Sequence, residues 1–184
     1  MTGRLSAAAE AWIRQPASFG QAVLYDVSTP MPDITLVVFG IPGPQGSKTS
    51  KGTRTSTKTG KQVPILVESS KKVKPWRAAV TQAAIDAGCK PLAGPLAVSM
   101  HFTLKAPAHM PKDRVLDGVA YPTCYPDWSK LARSTEDALT GHAWGDDAQI
   151  VEYRDSGKHY PGQHPDALDQ PGVLIRIWRL GGAA

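Results

Sequence analysis

Carboxylates in the second half of the chain carry the clearest chemical signal. Asp127 opens the run "PDWSKLARSTEDALTG", and the pair Asp146 and Asp147 follows the turn "GHAWG" a short distance on. Hard oxygen ligands of this kind suit Mg²⁺, which one or two carboxylates hold together with substrate phosphate and water. Asp127 with Asp147 would suffice. Each has a blander reading, Asp127 as a helix N-cap and the pair as a solvated turn. The helix between them, of about a dozen residues, is roughly 18 Å long, so convergence requires the following strand to fold back along it.

The opposite charge lies earlier. Lys48, Lys51, Arg54, Lys58, Lys61, Lys71, Lys72, Lys74 and Arg77 are nine basic residues against one acid, Glu68, whereas Asp113 to Asp169 holds eleven of the chain's sixteen acids. Such a division suggests phosphate contacts from one half and cation coordination from the other, as in a metal-dependent enzyme acting on nucleic acid. The stretch "GIPGPQGSK" invites comparison with a phosphate-binding loop, but Ser47 separates Gly46 from Lys48 and no apolar helical pattern follows. A flexible basic loop along a polynucleotide backbone fits better, and a loop charged only for solubility is the alternative. Lys158 reads either as a further phosphate contact or as an exposed lysine. The five histidines are scattered, with no zinc-enzyme spacing, and Cys89 and Cys124 form no C-x-x-C pair.

These residues need a scaffold. "DITLVVFG" (33–40) reads as a strand, followed by the basic loop and a short strand at 63–69. "KKVKPWRAAVTQAAIDAG" reads as a helix with Trp76, Val80, Ala83, Ala84 and Ala87 on one face. A strand follows at 94–104, then a long Pro- and Gly-containing connection at 105–126. Leu131, Thr135, Ala138 and Leu139 stripe a second helix, stopped at Gly141. "QIVEYRDSG" and "GVLIRIWRL" supply two final strands, the last fit for the interior of a sheet. The order predicts an α+β domain, two main helices against a mixed sheet. Trp76, Trp128, Trp144 and Trp178 read as core, with base stacking at a junction as an alternative for Trp128.

A chain of 184 residues, 41% apolar and 20% charged with net charge +5, has the composition of one soluble domain. Residues 1–31 read as an extension of uncertain order and 32–184 as the domain. No apolar run is long enough to span a membrane, and Glu10 and Arg14 interrupt any signal-peptide core, which predicts a cytoplasmic protein.

"PDWSKLARSTEDALTG" followed by "WGDDAQIVEYRDSGKHY" resembles the signature of the RusA family of Holliday junction resolvases, with looser matches at "GIPGPQGSK" and "KPWR". The resemblance implies a homodimeric, Mg²⁺-dependent endonuclease that cuts four-way DNA junctions, often encoded by phages. Asp127, Asp146 and Asp147 fall on the family's metal ligands. Two positions depart: Ser129 stands where the family has a second aspartate, and Arg133 where it has a lysine. Arginine keeps the charge and can clamp a phosphate with two hydrogen bonds. Glu136, seven residues after Ser129 on nearly the same meridian, is expected either to replace the missing carboxylate or to orient Arg133. The catalytic set is then Asp127, Asp147, Arg133 and Glu136, with Lys48, Lys51, Arg54, Lys58, Lys61, Lys72, Lys74, Arg77 and Lys158 on DNA. The rival expectation is a DNA-junction-binding protein that keeps the fold and has lost cleavage through Ser129.

Overall fold

The computed structural model describes residues 30–46, 48–58, 60–68, 70–108 and 120–181. Its frame is a mixed sheet in which β7 (Gly172–Arg179) lies between β1 (Ile34–Phe39) and β4 (Leu96–Thr103), antiparallel to both. The Val/Ile/Leu/Trp run of β7 thus takes the interior place its composition predicts. On the other edge of β4, "QIVEYRDSG" breaks into two short strands, β5 (Ile150–Tyr153) and β6 (Gly157–His159), each parallel to β4. Asp155, between them, has a φ of 24°, a left-handed conformation no continuous strand contains.

Residue alternation gives the sheet two different faces. Leu96, Val98, Met100 and Phe102 of β4 join Leu36, Val38, Val173, Ile175 and Ile177 in the core, under the helices. The intervening positions Ser99, His101 and Thr103 take the opposite face, and they are buried as well. Thr103 accepts there from the Leu168 amide at 2.8 Å, which anchors the segment before β7.

Helix α1 (Val73–Asp86) and helix α2 (Trp128–Leu139) cover the apolar face. Trp76, Val80 and Ala84 are buried on α1, and Leu131, Thr135, Ala138 and Leu139 on α2, as the stripes predict. The helices are tied by Trp76 Nε1 donating to Thr135 Oγ1 at 3.1 Å and Thr81 Oγ1 donating to the Ala138 carbonyl at 3.0 Å. The basic segment is more ordered than a loop: β2 (Lys48–Thr55) pairs antiparallel with β3 (Gln62–Glu68) as a separate two-stranded sheet. Its threonines favour extended backbone and need no buried face. The fold is therefore α+β and a single domain, with both helices on one sheet face.

Candidate active site

Helix α2 and the turn after it position the acidic side chains. Asp127 is the N-cap residue, with extended backbone, but its carboxylate caps no amide and pairs instead with Lys130 Nζ at 2.6 Å. That hydrogen bond and charge, with Lys158 nearby, hold its carboxyl below the usual range, and Lys130 is raised in turn. At the other end Gly141, at φ 83°, turns the chain so that its amide donates to the Trp144 carbonyl at 2.7 Å. The buried Trp144 then donates through Nε1 to Asp147 at 2.8 Å, and Thr140 Oγ1 donates to the same oxygen. Asp147 is thus fixed on two donors.

Asp146 has a different part. Its carboxylate accepts from the Ala148 amide at 2.8 Å, capping the short 3₁₀ turn Asp147–Gln149, while Gln149 accepts from the Gly145 and Asp146 amides. Gln149 also donates to the carbonyls of Leu92 and Gly94, both at 3.0 Å, so the acidic turn is fastened to the entry of β4.

Glu136 lies between these groups. Tyr153, at the end of β5, donates its hydroxyl to the Glu136 carboxylate. Burial raises the Glu136 carboxyl above its ordinary value, the Tyr153 hydrogen bond opposes this, and the negative charges of Asp147 and Asp137 raise it further against Arg133. Burial, the hydrogen bond to Glu136, and the charges of Glu136 and Asp147 raise the Tyr153 phenol strongly. Glu136, Asp147 and Tyr153 therefore share one electrostatic environment. The other side of the Tyr153 ring meets Trp128 edge-on, with centroids 5.4 Å apart. Tyr153 of β5 thus touches α2 at two places, Trp128 in its first turn and Glu136 in its second half.

The expected ligands lie at the two ends of α2. Asp127 precedes Glu136 by nine residues, about 13 Å along the helix axis. Among the described residues, Asp127, Asp146 and Asp147 do not appear as three ligand atoms within 4.8 Å of one another. The closer association is between Glu136 and Asp147, both half-buried: Thr140 Oγ1 donates to the Glu136 carbonyl and to the Asp147 carboxylate, and the Asp147 charge helps to raise the Glu136 carboxyl. Ser129 and Arg133 are exposed on α2.

Several cationic side chains are committed elsewhere. Arg77 pairs with Asp137 across the helices and donates to Gln45 at 2.6 Å, so it fastens the entry loop rather than standing free for phosphate. Lys158 donates to the carbonyls of Cys124 at 3.1 Å and Pro126 at 2.8 Å, bracing the segment before Asp127. Arg54, Lys58 and Lys61 are exposed on the hairpin, and Lys72 and Lys74 at the start of α1. The side chains of Lys48 and Lys51 lie outside the described residues. A cleft of about 600 Å³, lined by Pro42, Pro44, Lys71, Lys72, Lys105 and Pro126 among others, stops one residue short of Asp127. Trp128 is not a free stacking platform: it is half-buried, edge-on to Phe102 at 6.5 Å, with Nε1 3.5 Å from the Met100 carbonyl.

The Endodeoxyribonuclease RusA family model matches residues 44–177. The chain belongs to the RusA family. RusA proteins are endodeoxyribonucleases that resolve Holliday junctions and depend on metal. The match covers the hairpin, both helices and the acidic turn, and it ends within β7. No relative is found among curated proteins. Among the described residues no helix is long and apolar enough to cross a membrane.

Sequence pattern alone does not single out Tyr153, Thr140, Trp144 and Gln149 as parts of this site. Gln149 has a local signal, the Asp-x-x-Gln spacing of a capping box starting at Asp146. A second polar cluster is equally hidden in the sequence. His101, His159 and His164 meet on the sheet face opposite the helices, although 58 residues separate the first two. Burial lowers His101, partly offset by Asp166, and burial with the neighbouring histidines pushes His159 down to about 4. Asp166 is held low despite burial because Arg176 grips both its oxygens, at 2.6 and 2.5 Å.

Proposed function

We propose that this protein is a Mg²⁺-dependent endonuclease that cuts four-way DNA junctions as a two-fold dimer, in recombination and repair within the cytoplasm of a bacterial or phage-infected cell. The observation that carries the reading is the half-buried pair of carboxylates, Glu136 and Asp147, on the α2 end fastened to the sheet. Membership of the family supports the substrate class.

Glu136 and Asp147 would hold the ion, and Asp127, at the other end of α2, would meet the DNA once the backbone draws Lys130 away. Asp146 shapes the turn that presents Asp147. Mg²⁺ bound there supplies a water of lowered pKa and neutralises phosphoryl charge. Tyr153 and Trp144 keep the two carboxylates aimed. Arg133 clamps the scissile phosphate and stabilises the added negative charge in the transition state. Arg54, Lys58, Lys61, Lys72 and Lys74, with Lys48 and Lys51 of the same hairpin, follow the DNA backbone. Two opposed copies of the site are what symmetric cutting of a junction requires.

Labelled four-way junction incubated with protein should yield paired symmetric nicks with Mg²⁺ and none without it. Asp147→Asn should abolish the nicks and keep the mobility shift. A shift without nicks in the unmutated chain would instead identify a binding protein silenced by Ser129, the one carboxylate position of the family motif that is lost here.

A further inference from the structure

We propose that His101, His159 and His164 bind a transition-metal cation, Zn²⁺ by their chemistry, on the sheet face opposite the acidic pair. This site is independent of the nuclease reading. The three ring centroids are 5.3, 4.8 and 4.5 Å apart, a near-equilateral triangle that a simple column of stacked rings cannot form. One nitrogen from each ring lies within 4.8 Å of the others. His101 Nδ1 and His159 Nε2 face each other at 3.1 Å. Two imidazoles on a tetrahedral zinc, with Zn–N of about 2.0–2.1 Å, place their ligating nitrogens about 3.3 Å apart.

The surroundings match what a liganding imidazole needs. His101 is 1% exposed, and its Nε2 has no hydrogen-bond partner although Asp166 Oδ2 stands 3.4 Å away. With its proton on Nε2 toward Asp166, His101 offers the Nδ1 lone pair, the carboxylate-histidine-metal arrangement that fixes a ligand's tautomer. Arg176 in turn fixes Asp166. Gly157 lies opposite His101 in the β4–β6 register, and a Cβ there would stand 2.9 Å from His159 Nε2, so the missing side chain makes room for the ring. His164 is kept in place by the Asp166 amide, which donates to its Nδ1 at 3.1 Å, a local bond that ligation would replace.

A second possible group, His101 with Asp155 and Asp166, shares His101 but fits a cation less well, because the Arg176 guanidinium already occupies both Asp166 oxygens. Imidazole ligands select zinc-type ions over Mg²⁺. The ion would staple the three-residue strand β6 to β4 and to the segment that follows it. β6 carries Lys158, the brace of the segment before Asp127.

The test uses the full chain, freed of metal by a chelator and then titrated with Zn²⁺ against a chromophoric competitor. One equivalent should bind saturably and raise the thermal midpoint, and His159→Gln and His164→Gln should each weaken binding at least tenfold. Asp147→Asn should bind Zn²⁺ as the parent does. Co²⁺ in the unmutated chain reads the ligand set without any substitution: strong four-coordinate absorption bands support the site. No saturable equivalent, weak six-coordinate bands, unchanged affinity in both histidine variants, or loss of binding in Asp147→Asn would each overturn it.

Discussion

Tyr153→Phe separates the charge of Glu136 from the packing around it. The variant keeps the ring, and with it the edge contact to Trp128 at 5.4 Å, but removes the hydroxyl that donates to the Glu136 carboxylate. A hydrogen bond to a charged group contributes about 1.5–3 kcal/mol when dry. Tyr153 is 47% exposed, so solvent screens the contact and about 1 kcal/mol is the fitting magnitude. Losing that stabilisation of the ionised form moves the Glu136 carboxyl up. Its value is already raised by burial, and the hydroxyl opposes that rise, so removing the hydroxyl moves the group further up. A carboxyl raised in the folded state costs stability as pH climbs from its unfolded value through its folded one, and the variant should enlarge that cost. If Glu136 acts ionised, the acid limb of the Mg²⁺-dependent cleavage rate should move up with it, with circular dichroism and junction affinity unchanged. An acid limb that stays in place while the rate falls would refute the role given to Glu136.

Thr135→Val should lower stability by about 1–3 kcal/mol in chemical denaturation, because the buried Trp76 Nε1 is left without an acceptor and without water. Joint replacement of Arg54, Lys58 and Lys61 by alanine should reduce the salt slope of junction binding by up to about three, roughly 0.9 for each phosphate no longer neutralised, and leave the fold intact. In chelator-treated protein, His159 at about 4 against an ordinary 6.5 should stabilise the fold fully above pH 6.5. That contribution should be lost as pH falls from 6.5 through 4, by roughly 1–2 kcal/mol after allowance for its half-exposed ring. Denaturation at pH 7 and 4.5 should show the drop in the parent and a smaller one in His159→Gln.

Features set by local pattern were legible in the sequence. The apolar spacing Leu131, Thr135, Ala138, Leu139 requires a helix with one buried side whatever surrounds it, and β7 is too apolar to sit at an edge. The acidic turn could be placed as well, since its position follows from the stop at Gly141. What local pattern cannot convey is which charges neutralise one another. Arg77 and Asp137 are 60 residues apart, and their pairing depends on the crossing of α1 over α2. Lys158 reads as a surface cation until the segment before Asp127 is folded against it. Of the basic hairpin, β3 is legible from its apolar run at 63–67, whereas β2 reads as a loop because Lys48–Thr55 carries no apolar residue to mark a strand. The histidines carry no ligand spacing along the chain, yet the parallel β4–β6 register makes sequence spacing irrelevant to their meeting.

The two polar clusters share a strand, and that bears on how the active site is held. Even-numbered residues of β4 support the helices, and through Trp128 and Tyr153 the acidic pair; odd-numbered ones begin the histidine cluster. β6 reaches both sides, with His159 in the histidine cluster and Lys158 bonded to the carbonyls just before Asp127. A strand of three residues on a sheet edge has little pairing energy of its own. Asp127 is likewise weakly placed, since its own contact is an exposed pair with Lys130 that solvent screens. The position of Asp127 relative to Tyr153 and Glu136 therefore depends on how firmly β6 is held to β4. Loosening the histidine face should act on the nuclease site through Asp127 and leave Asp147 unaffected, because Asp147 takes its donors from Thr140 and Trp144 and not from β6.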